Sequence, residues 1–130
     1  MATKRREQQG DERLLSAELL LRAYANGYFP MAESKDGPIQ WFSPDPRAIF
    51  ELDEFHIPRS LKQVLRKHCF EIRIDTRFEE VIRLCADREE TWISETIIES
   101  YSQLHRLGFA HSVEAWYQHS LAGGLYGVAL

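Results

Sequence analysis

The chain has 130 residues, of which 44% are hydrophobic, and this is enough apolar material for one core of ordinary domain size. Its formal net charge is −4, so any contact with nucleic acid has to come from a local basic patch rather than from overall charge. The two cysteines, Cys69 and Cys85, are too few for a disulfide framework, and the apolar patterns around them predict reduced, buried thiols. No apolar run approaches the roughly 18 residues that span a bilayer, and no signal region follows the charged N-terminus, so we expect a cytoplasmic protein without membrane association.

The first part of the chain predicts a polar tail followed by a small α/β unit. Residues 1–13 are polar and aperiodic, so little apolar burial could offset the entropy of ordering them, and we expect a loose tail. Ser16 can cap a helix with apolar residues at helical spacing, and Gly27 lies where a left-handed residue would end it. A loop with Tyr28-Phe29-Pro30, a short strand at 39–42 and a turn at Ser43-Pro-Asp-Pro complete a predicted small N-terminal domain over 14–57.

The pattern from residue 58 onward predicts a second domain over 58–130. Ser60 with Gln63, and Thr76 with Glu79, form capping boxes that predict one helix before and one helix after an alternating strand at 70–74. The apolar residues of the first helix, Leu61, Val64 and Leu65, are expected to point inward. Ser94 predicts the start of a third helix, which ends near Gly108, and strands at 111–117 and 121–130 form a hairpin. The order of these elements indicates an α+β fold.

Five motifs stand out because they combine aromatic, charged and turn residues in an order that packing alone does not require. They are Gly27-Tyr-Phe-Pro30, Trp41-Phe-Ser-Pro-Asp-Pro-Arg47, the stretch from Cys85-Ala-Asp-Arg-Glu-Glu-Thr-Trp-Ile-Ser94 to Tyr101, His111-Ser-Val-Glu-Ala-Trp116 and Gly123-Gly-Leu-Tyr-Gly127. Together they resemble the bacterial leucyl/phenylalanyl-tRNA–protein transferases. The resemblance implies an aminoacyltransferase that moves Leu or Phe, with Met as a further candidate, from aminoacyl-tRNA to the N-terminal Arg or Lys of an acceptor protein, which marks that protein for degradation by the N-end rule pathway. It also implies that residues 58–130 form the first half of an acetyltransferase-like (GNAT-type) mixed α/β domain.

Two groups of residues match binding positions of this family. The aminoacyl-adenosine end of the tRNA would be held by Met31, Trp92, Tyr101 and Leu125, and the acceptor stem by Arg59, Lys62, Arg66 and Lys67. Aromatic faces stack on bases, and cations along one helix face bind phosphates without reading sequence. The pattern alone favours core aromatics for Trp92 and Tyr101 and a solvated helix face for the four cations. The family positions favour the binding role, for Trp92 especially. The run Asp87-Arg88-Glu89-Glu90 is either a surface loop or a site for the basic N-terminal residue of the acceptor.

The chain departs from the family pattern in three places. Met31 stands where the family often has Trp, and Gln63 where it often has a cation. The catalytic residues are expected beyond Leu130, after a Gly-Glu-Ser-Met-Phe type segment that this sequence lacks, so we interpret the chain as an N-terminal fragment whose own activity is in doubt. The alternatives are a non-catalytic RNA- or peptide-binding fragment and a coenzyme A-dependent acetyltransferase-like enzyme, although no glycine-rich pyrophosphate loop is present.

The sequence indicates neither a cofactor nor a metal. An aminoacyl ester is already activated, so its transfer requires no ATP. His105 and His111 lack metal-ligand spacing with any acid or cysteine, and His111 and Glu114 lie three apart on a strand and so on opposite faces.

Overall fold

The computed structural model describes residues 14–130 as a mixed α/β fold with two separate antiparallel sheets. The tail predicted for residues 1–13 lies outside the described residues. Within the described part, no helix is long and apolar enough to cross a bilayer. The elements are α1 (Ala17–Ala25), β1 (Phe29–Ala32), β2 (Ile39–Phe42), a 3₁₀ turn (Leu52–Glu54), α2 (Arg59–Arg66), β3 (Phe70–Ile74), α3 (Phe78–Ala86), α4 (Glu95–Arg106), β4 (Ala110–Tyr117) and β5 (Ser120–Val128).

Helix α1 and a two-stranded sheet form the N-terminal part. The predicted cap is confirmed, since Ser16 Oγ accepts a hydrogen bond from the Leu19 N–H at 3.1 Å, and Gly27 follows the helix with a φ of +82°. Strand β2 is confirmed as well. The loop predicted at Tyr28-Phe29-Pro30 is wrong from Phe29 onward, because residues 29–32 pair antiparallel with β2 as strand β1. Four residues that include a proline carry too little alternation to reveal this pairing in the sequence.

The second sheet has the order β3-β4-β5, with both pairs antiparallel. Helix α4 begins as predicted at Ser94, whose Oγ accepts a hydrogen bond from the Ile97 N–H at 3.3 Å. The predicted hairpin of β4 and β5 is confirmed. Its two turn residues, Gln118 and His119, both have positive φ, at 46° and 67°, which is the backbone of a type I′ turn.

The core lies between the second sheet and the helices α1, α3 and α4. It is formed by buried apolar side chains from all of these elements: Leu20, Phe78, Ile82, Ile93, Ile97, Ile98, Tyr101, Leu104 and Ala110. On α3, Phe78 and Ile82 belong to this core, and Cys85 is partly buried against it. Burial raises the pKa of the Cys85 thiol. Cys69, in contrast, is exposed, so the prediction of a buried thiol is wrong there.

Neither predicted capping box forms. Helix α2 starts after Pro58 and α3 after Arg77, and neither of these residues caps its helix through a side chain. Thr76 instead donates hydrogen bonds from its N–H, at 3.0 Å, and from its hydroxyl to Oε1 of the fully buried Glu114. Leaving a buried carboxyl group without hydrogen-bond donors costs more free energy than leaving an exposed helix end uncapped, so Thr76 bonds to Glu114 instead of capping α3. The sequence pattern around Thr76 does not show that Glu114 will lie next to it.

The apolar side chains of α2 do not point into the core. Leu61, Val64 and Leu65 are 41%, 38% and 54% exposed, and no residue of the helix is buried. The periodicity correctly indicates an amphipathic helix, but nothing in residues 14–130 covers its apolar side.

The second sheet has one covered face and one uncovered face. Alternate residues of β4, including Ser112, Glu114 and Trp116, are buried on the side of α3 and α4. The cross-strand register places the other set of side chains on the opposite side. We call this side the open sheet face and define it by Phe70, Ile72, Ile74, Val113, Tyr117 and Leu125. Strand β3 is thus confirmed, but its apolar residues face away from the helices, with Ile72 62% and Ile74 63% exposed.

Candidate functional site

An aromatic pocket lies at the junction of α1, β1, α4 and β5. Its volume is about 220 Å³. Helix α1, strand β1, the segment before α4, α4 itself and β5 all contribute to its wall, which consists of Tyr24, Phe29, Pro30, Met31, Trp92, Tyr101, Tyr126 and Gly127. Because the wall is assembled from five separate parts of the chain, the pocket depends on the packing of α1 and β1 against the rest of the fold.

Three tyrosines give one side of the aromatic pocket its polar groups. The hydroxyl oxygens of Tyr24 and Tyr101 are 2.5 Å apart, and their rings pack edge to face with centroids separated by 6.4 Å. Tyr126 packs edge to face on Tyr101 with a centroid distance of 5.9 Å. Burial raises the pKa of Tyr24 and of Tyr101, and it raises the pKa of Tyr126 to about 12. All three phenols are therefore neutral near pH 7 and can both donate and accept hydrogen bonds.

Trp92 is held by the irregular segment between α3 and α4. Thr91 Oγ1 accepts a hydrogen bond from the Ile93 N–H at 3.1 Å, and this fixes the backbone on both sides of Trp92. The indole is 37% exposed, and the guanidinium carbon of Arg88 lies 4.8 Å from the indole centroid. A cation over an aromatic face is attracted by the ring quadrupole. One face of Trp92 is thus occupied by a charged side chain rather than by the core.

A second, larger cavity of about 570 Å³ lies next to the same segment. We call it the acidic cavity because its charged lining consists of the carboxylates Glu33, Asp87, Glu89, Glu90 and Glu95 and the cations Lys35, Arg83 and Arg88. Arg83 is already paired, with Glu95 at 2.8 Å and Glu79 at 3.0 Å. Asp87, Glu89 and Glu90 form no ion pair with another residue of the 14–130 range, so the cavity carries excess negative charge.

The structure brings together three of the four residues for which the family resemblance implied aminoacyl-adenosine binding. Met31, Trp92 and Tyr101 line the aromatic pocket. Leu125 does not, because it lies on the open sheet face, where it is 61% exposed, while its neighbour Tyr126 points toward the helices. Adjacent residues of a strand point to opposite faces, so these two side chains cannot line the same side of the sheet.

Sequence reasoning did not single out Tyr24, Phe29 or Tyr126 as pocket residues. Phe29 and Tyr126 belong to the motifs that begin at Gly27 and Gly123, and this membership was the only sequence feature that could have indicated them as pocket residues. Tyr24 falls in the apolar stripe of α1, where the pattern indicates a core residue. Only its contact with Tyr101, 77 positions away, places it in the pocket wall.

The four cations assigned to tRNA binding lie on or next to α2. Arg59, Lys62 and Arg66 are spaced along one side of the helix, and Lys67 follows as its C-terminal cap. All four are exposed, and none forms an ion pair with another described residue. Their charges are therefore available to an anionic partner.

His111 and Glu114 point to opposite sides of β4, as predicted, and each has its own partners. His111 Nδ1 lies 2.7 Å from Oδ2 of Asp75, and the Ser112 N–H donates to Oδ1 of Asp75 at 3.0 Å. Glu114 is fully buried and accepts hydrogen bonds from Thr76 and, at 3.1 Å, from the Ser112 hydroxyl. The His111–Asp75 pair, which the sequence pattern did not reveal, joins the end of β3 to the start of β4.

Comparison with known proteins identifies relatives along nearly the whole described chain. Residues 13–45 match the family profile described as leucyl/phenylalanyl-tRNA protein transferase N-terminal domain, and residues 49–130 match the profile described as leucyl/phenylalanyl-tRNA protein transferase. The second match alone covers more than half of the chain and includes β3, β4 and β5.

Individual relatives named leucyl/phenylalanyl-tRNA–protein transferase agree with the family profiles. The protein of Gloeobacter violaceus is 56% identical over 116 residues, which are 89% of this chain and 60% of the relative. That of Rubrobacter xylanophilus is 57% identical over 117 residues, covering 89% and 61%, and that of Salinibacter ruber is 52% identical over 116 residues, covering 89% and 51%. The chain thus spans about 60% of the length of most of these curated relatives. On these matches, the chain belongs to the leucyl/phenylalanyl-tRNA–protein transferase family.

Proposed function

We propose that this protein takes part in transferring Leu or Phe from aminoacyl-tRNA to the N-terminal Arg or Lys of an acceptor protein. The observation that carries the proposal is the aromatic pocket, in which Met31, Trp92 and Tyr101 lie together. Along the chain, Trp92 lies 61 positions after Met31 and 9 positions before Tyr101. An adenine ring can stack on an aromatic side chain for about 1–3 kcal/mol, and apolar walls suit the side chain of Leu or Phe.

The reaction requires positioning more than activation. The amine nitrogen of the acceptor attacks the carbonyl carbon of the aminoacyl ester, an amide bond forms, the ester bond breaks, and the ribose hydroxyl leaves with the proton that the amine loses. Holding both reactants in one geometry lowers the barrier by removing translational and rotational entropy. The neutral hydroxyls of Tyr24 and Tyr101 can bind polar atoms of the aminoacyl-adenosine end without introducing a charge next to the ester.

The acidic cavity supports a basic acceptor. Its unpaired carboxylates Asp87, Glu89 and Glu90 would attract the cationic side chain of an N-terminal Arg or Lys and leave its α-amine free to attack. Since Trp92 follows two residues after Glu90, an acceptor held in the acidic cavity would lie close to an aminoacyl group held in the aromatic pocket.

The exposed cations of α2 support binding of the tRNA backbone. Phosphate contacts of this kind supply affinity and orientation, whereas the aromatic pocket would supply selectivity for the charged end.

The arrangement of the second sheet is consistent with a GNAT-type domain. A strand, two helices and an antiparallel hairpin occur in that order in β3, α3, α4, β4 and β5. We extend the proposal to this fold, and to a division of the protein into domains 14–57 and 58–130.

The proposal is tested by transfer of radiolabelled Leu or Phe from charged tRNA to a protein that begins with Arg. The assay compares this chain with a version extended by the portion of the Gloeobacter violaceus relative that lies outside the match. In the active version, Trp92→Ala should abolish transfer. Trp41→Ala is the matched control, because Trp41 is also 37% exposed but lies outside the aromatic pocket. Equal transfer by the two variants would remove Trp92 from the site.

Non-catalytic binding of RNA is the second candidate, favoured by the exposed cations of α2. Filter binding of charged and uncharged tRNA separates the two possibilities. A chain that uses the aromatic pocket should prefer charged tRNA, whereas one that binds only phosphates should not distinguish them.

A further inference from the structure

The motif Trp41-Phe-Ser-Pro-Asp-Pro-Arg47 contributes no side chain to the aromatic pocket or to the acidic cavity. Its last residue, Arg47, nevertheless contacts the segment that joins α1 to β1. Arg47 Nη2 donates a hydrogen bond to the Gly27 carbonyl oxygen at 2.5 Å, and the guanidinium carbon lies 5.7 Å from the centre of the Phe29 ring. Because Phe29 lines the aromatic pocket, Arg47 is connected to that pocket through one intervening side chain.

The contact with Gly27 lies at the point where the chain changes from helix to strand. The N–H groups of Gly27 and Tyr28 donate to carbonyl oxygens of α1 at 3.0 and 2.9 Å, and Gly27 has a φ of +82°. The turn that carries Arg47 packs directly on this glycine, since a Cβ at position 27 would lie 3.8 Å from Ser43 Oγ and 4.0 Å from Arg47 Nη2. Arg47 therefore fixes the direction in which the chain leaves α1.

Strand β1, which follows, has few other contacts that could fix its place. Three of its four residues, Phe29, Pro30 and Met31, line the aromatic pocket. Among the described residues, β1 pairs only with the equally short β2. Isolated two-stranded sheets are marginally stable in water, and Pro30 has no N–H to donate to its partner strand. A side-chain contact at the start of β1 therefore has a large share in setting the position of this pocket wall.

We propose that Arg47 is a positioning residue that holds Phe29, Pro30 and Met31 in place as one wall of the aromatic pocket. The planar guanidinium can donate to the Gly27 carbonyl and lie over the Phe29 ring at the same time. A lysine ammonium can replace the hydrogen bond but has no planar surface for the ring, so it should hold the wall less well. The inference deepens the proposed function and rests on it, because the wall that Arg47 holds would bind the aminoacyl-adenosine end of the tRNA.

The position of the wall can be measured without any ligand. The chain has two methionines, Met1 and Met31, so a ¹³C-methyl methionine spectrum contains one signal from the aromatic pocket, which Met31→Leu identifies. Ring currents of the surrounding aromatic side chains displace this signal from the position of an unfolded methionine. We expect Arg47→Gln to move the signal toward that position and Arg47→Lys to move it by a smaller amount. Arg106→Gln removes the same charge from the exposed last turn of α4 and should leave the signal unchanged.

Thermal unfolding of the same variants separates this role from a general effect on stability. If Arg47→Gln lowers the unfolding temperature but the Met31 signal of the folded protein stays in place, the proposal is overturned. If Arg47→Gln does not fold, Arg47→Lys decides the question, and an unmoved Met31 signal in that variant overturns the proposal.

The effect on binding is measured with adenosine that carries phenylalanine through an amide at the ribose 3′ position. This probe has no phosphate, so a general attraction between Arg47 and the nucleic acid backbone does not contribute. We expect Arg47→Gln to raise the Kd by about 10-fold, the effect of losing one hydrogen bond and one cation–π contact, and Arg47→Lys to raise it less. Arg106→Gln should leave the Kd unchanged. An equal Kd for Arg47→Gln and the original chain would overturn the positioning role.

Failure of the proposed function gives a different result. In that case the original chain does not bind the probe, although Arg47→Gln still moves the Met31 signal. That outcome would support the contact between Arg47 and the pocket wall and would remove aminoacyl-adenosine as the occupant of the pocket.

Discussion

Glu114 shows how one buried carboxylate organises the start of the second sheet. It is fully buried and accepts hydrogen bonds from the Thr76 N–H, the Thr76 hydroxyl and the Ser112 hydroxyl. Donors of this kind compensate a carboxylate for the water that it loses on burial. The same contact fixes the residues between β3 and α3, and so sets where α3 begins.

Removing one of these donors should destabilise the fold. We expect Thr76→Val to lower the free energy of unfolding by about 1–3 kcal/mol, because it deprives the buried carboxyl group of Glu114 of a hydrogen bond while nearly preserving shape. Chemical denaturation measures the change. Thr76→Ser keeps the hydroxyl and should stay close to the original protein, so an equal loss in both variants would show that the hydroxyl is not what stabilises this region.

Asp75 makes stability depend on pH in the acid range. Burial alone would raise the pKa of Asp75, but hydrogen bonds from His111 and the Ser112 N–H, together with the charges of His111 and His105, hold that pKa below its ordinary value of 3.8. Because the pKa of Asp75 is lower in the folded chain than in the unfolded chain, its stabilising effect is complete above the unfolded value. The effect is lost as the pH falls through the folded value.

The Asp75→Asn variant should therefore lose less stability than the original protein on acidification. Urea denaturation between about pH 2 and about pH 5 measures this difference. Asn is the suitable replacement, because Asp75 has a φ of +60°, a conformation that Asn tolerates. Asp53→Asn, in the exposed 3₁₀ turn, is the control. If the stability of Asp75→Asn and that of the original protein depend on pH in the same way, the acid loss of stability does not come from Asp75.

At the scale of single elements, strand β5 packs closely on α3 at one glycine and not at its neighbour. A Cβ on Gly124 would lie 3.0 Å from Val81 Cγ2 and 3.2 Å from the Val113 carbonyl oxygen, whereas a Cβ on Gly123 would meet no atom within 4 Å. The close approach of strand and helix thus requires a glycine at 124 only.

Alanine substitutions at these two positions should differ in effect. We expect Gly124→Ala to destabilise the protein by about 1–3 kcal/mol through overpacking, since the Val113 carbonyl belongs to the β4 backbone and cannot easily move. Gly123→Ala should change stability by less than about 0.5 kcal/mol. Thermal unfolding measures the loss of stability in both variants. An equal loss would mean that position 124 requires glycine for its backbone freedom and not for the lack of space for a Cβ.

The elements also show what periodicity can and cannot predict. The caps at Ser16 and Ser94, the alternation at 70–74 and the hairpin strand at 111–117 were predicted from local signals, and the corresponding elements form as predicted. The direction of burial predicted for α2 was wrong, because a pattern reveals an apolar face but not whether another element covers it. The alternation in β3 likewise did not reveal that its apolar residues face away from the helices. The Thr76–Glu114 contact was not predictable either, since it joins residues 38 positions apart.

Considered as a whole, the molecule is acidic, and its exposed basic helix is an exception to that charge. A protein with a formal net charge of −4 has no general attraction for RNA, so binding of tRNA would depend on the cations of α2.

The contribution of the α2 cations to tRNA binding can be separated from the effect of overall charge. We expect the double variant Lys62→Gln, Arg66→Gln to weaken tRNA binding and to reduce the dependence of log K on log salt by about two, which is about one per lost phosphate contact. The double variant Arg22→Gln, Arg106→Gln removes the same total charge from other helices and should leave the salt dependence unchanged. Equal losses in filter binding by both double variants would show that net charge, not α2, governs binding.

The candidate site was predictable only in part at this scale. Family resemblance singled out Met31, Trp92 and Tyr101, which share a pocket, but also Leu125, which lies on the other side of the sheet. Tyr24 became a pocket residue through the packing of α1 on α4. Such packing is a property of the assembled fold and has no signal within α1 itself.

Arg88 borders both cavities, because its guanidinium stacks on Trp92 while its side chain also lines the acidic cavity. A nucleobase that stacks on this face of Trp92 must first displace the guanidinium, which would then move among the carboxylates Asp87, Glu89 and Glu90. Occupying one cavity would thereby partly neutralise the other. By thermodynamic reciprocity, a cationic ligand in the acidic cavity would repel Arg88 back onto the indole and weaken stacking there by the same factor. The two ligands could still be bound together, but each would weaken the binding of the other through one side chain without touching it.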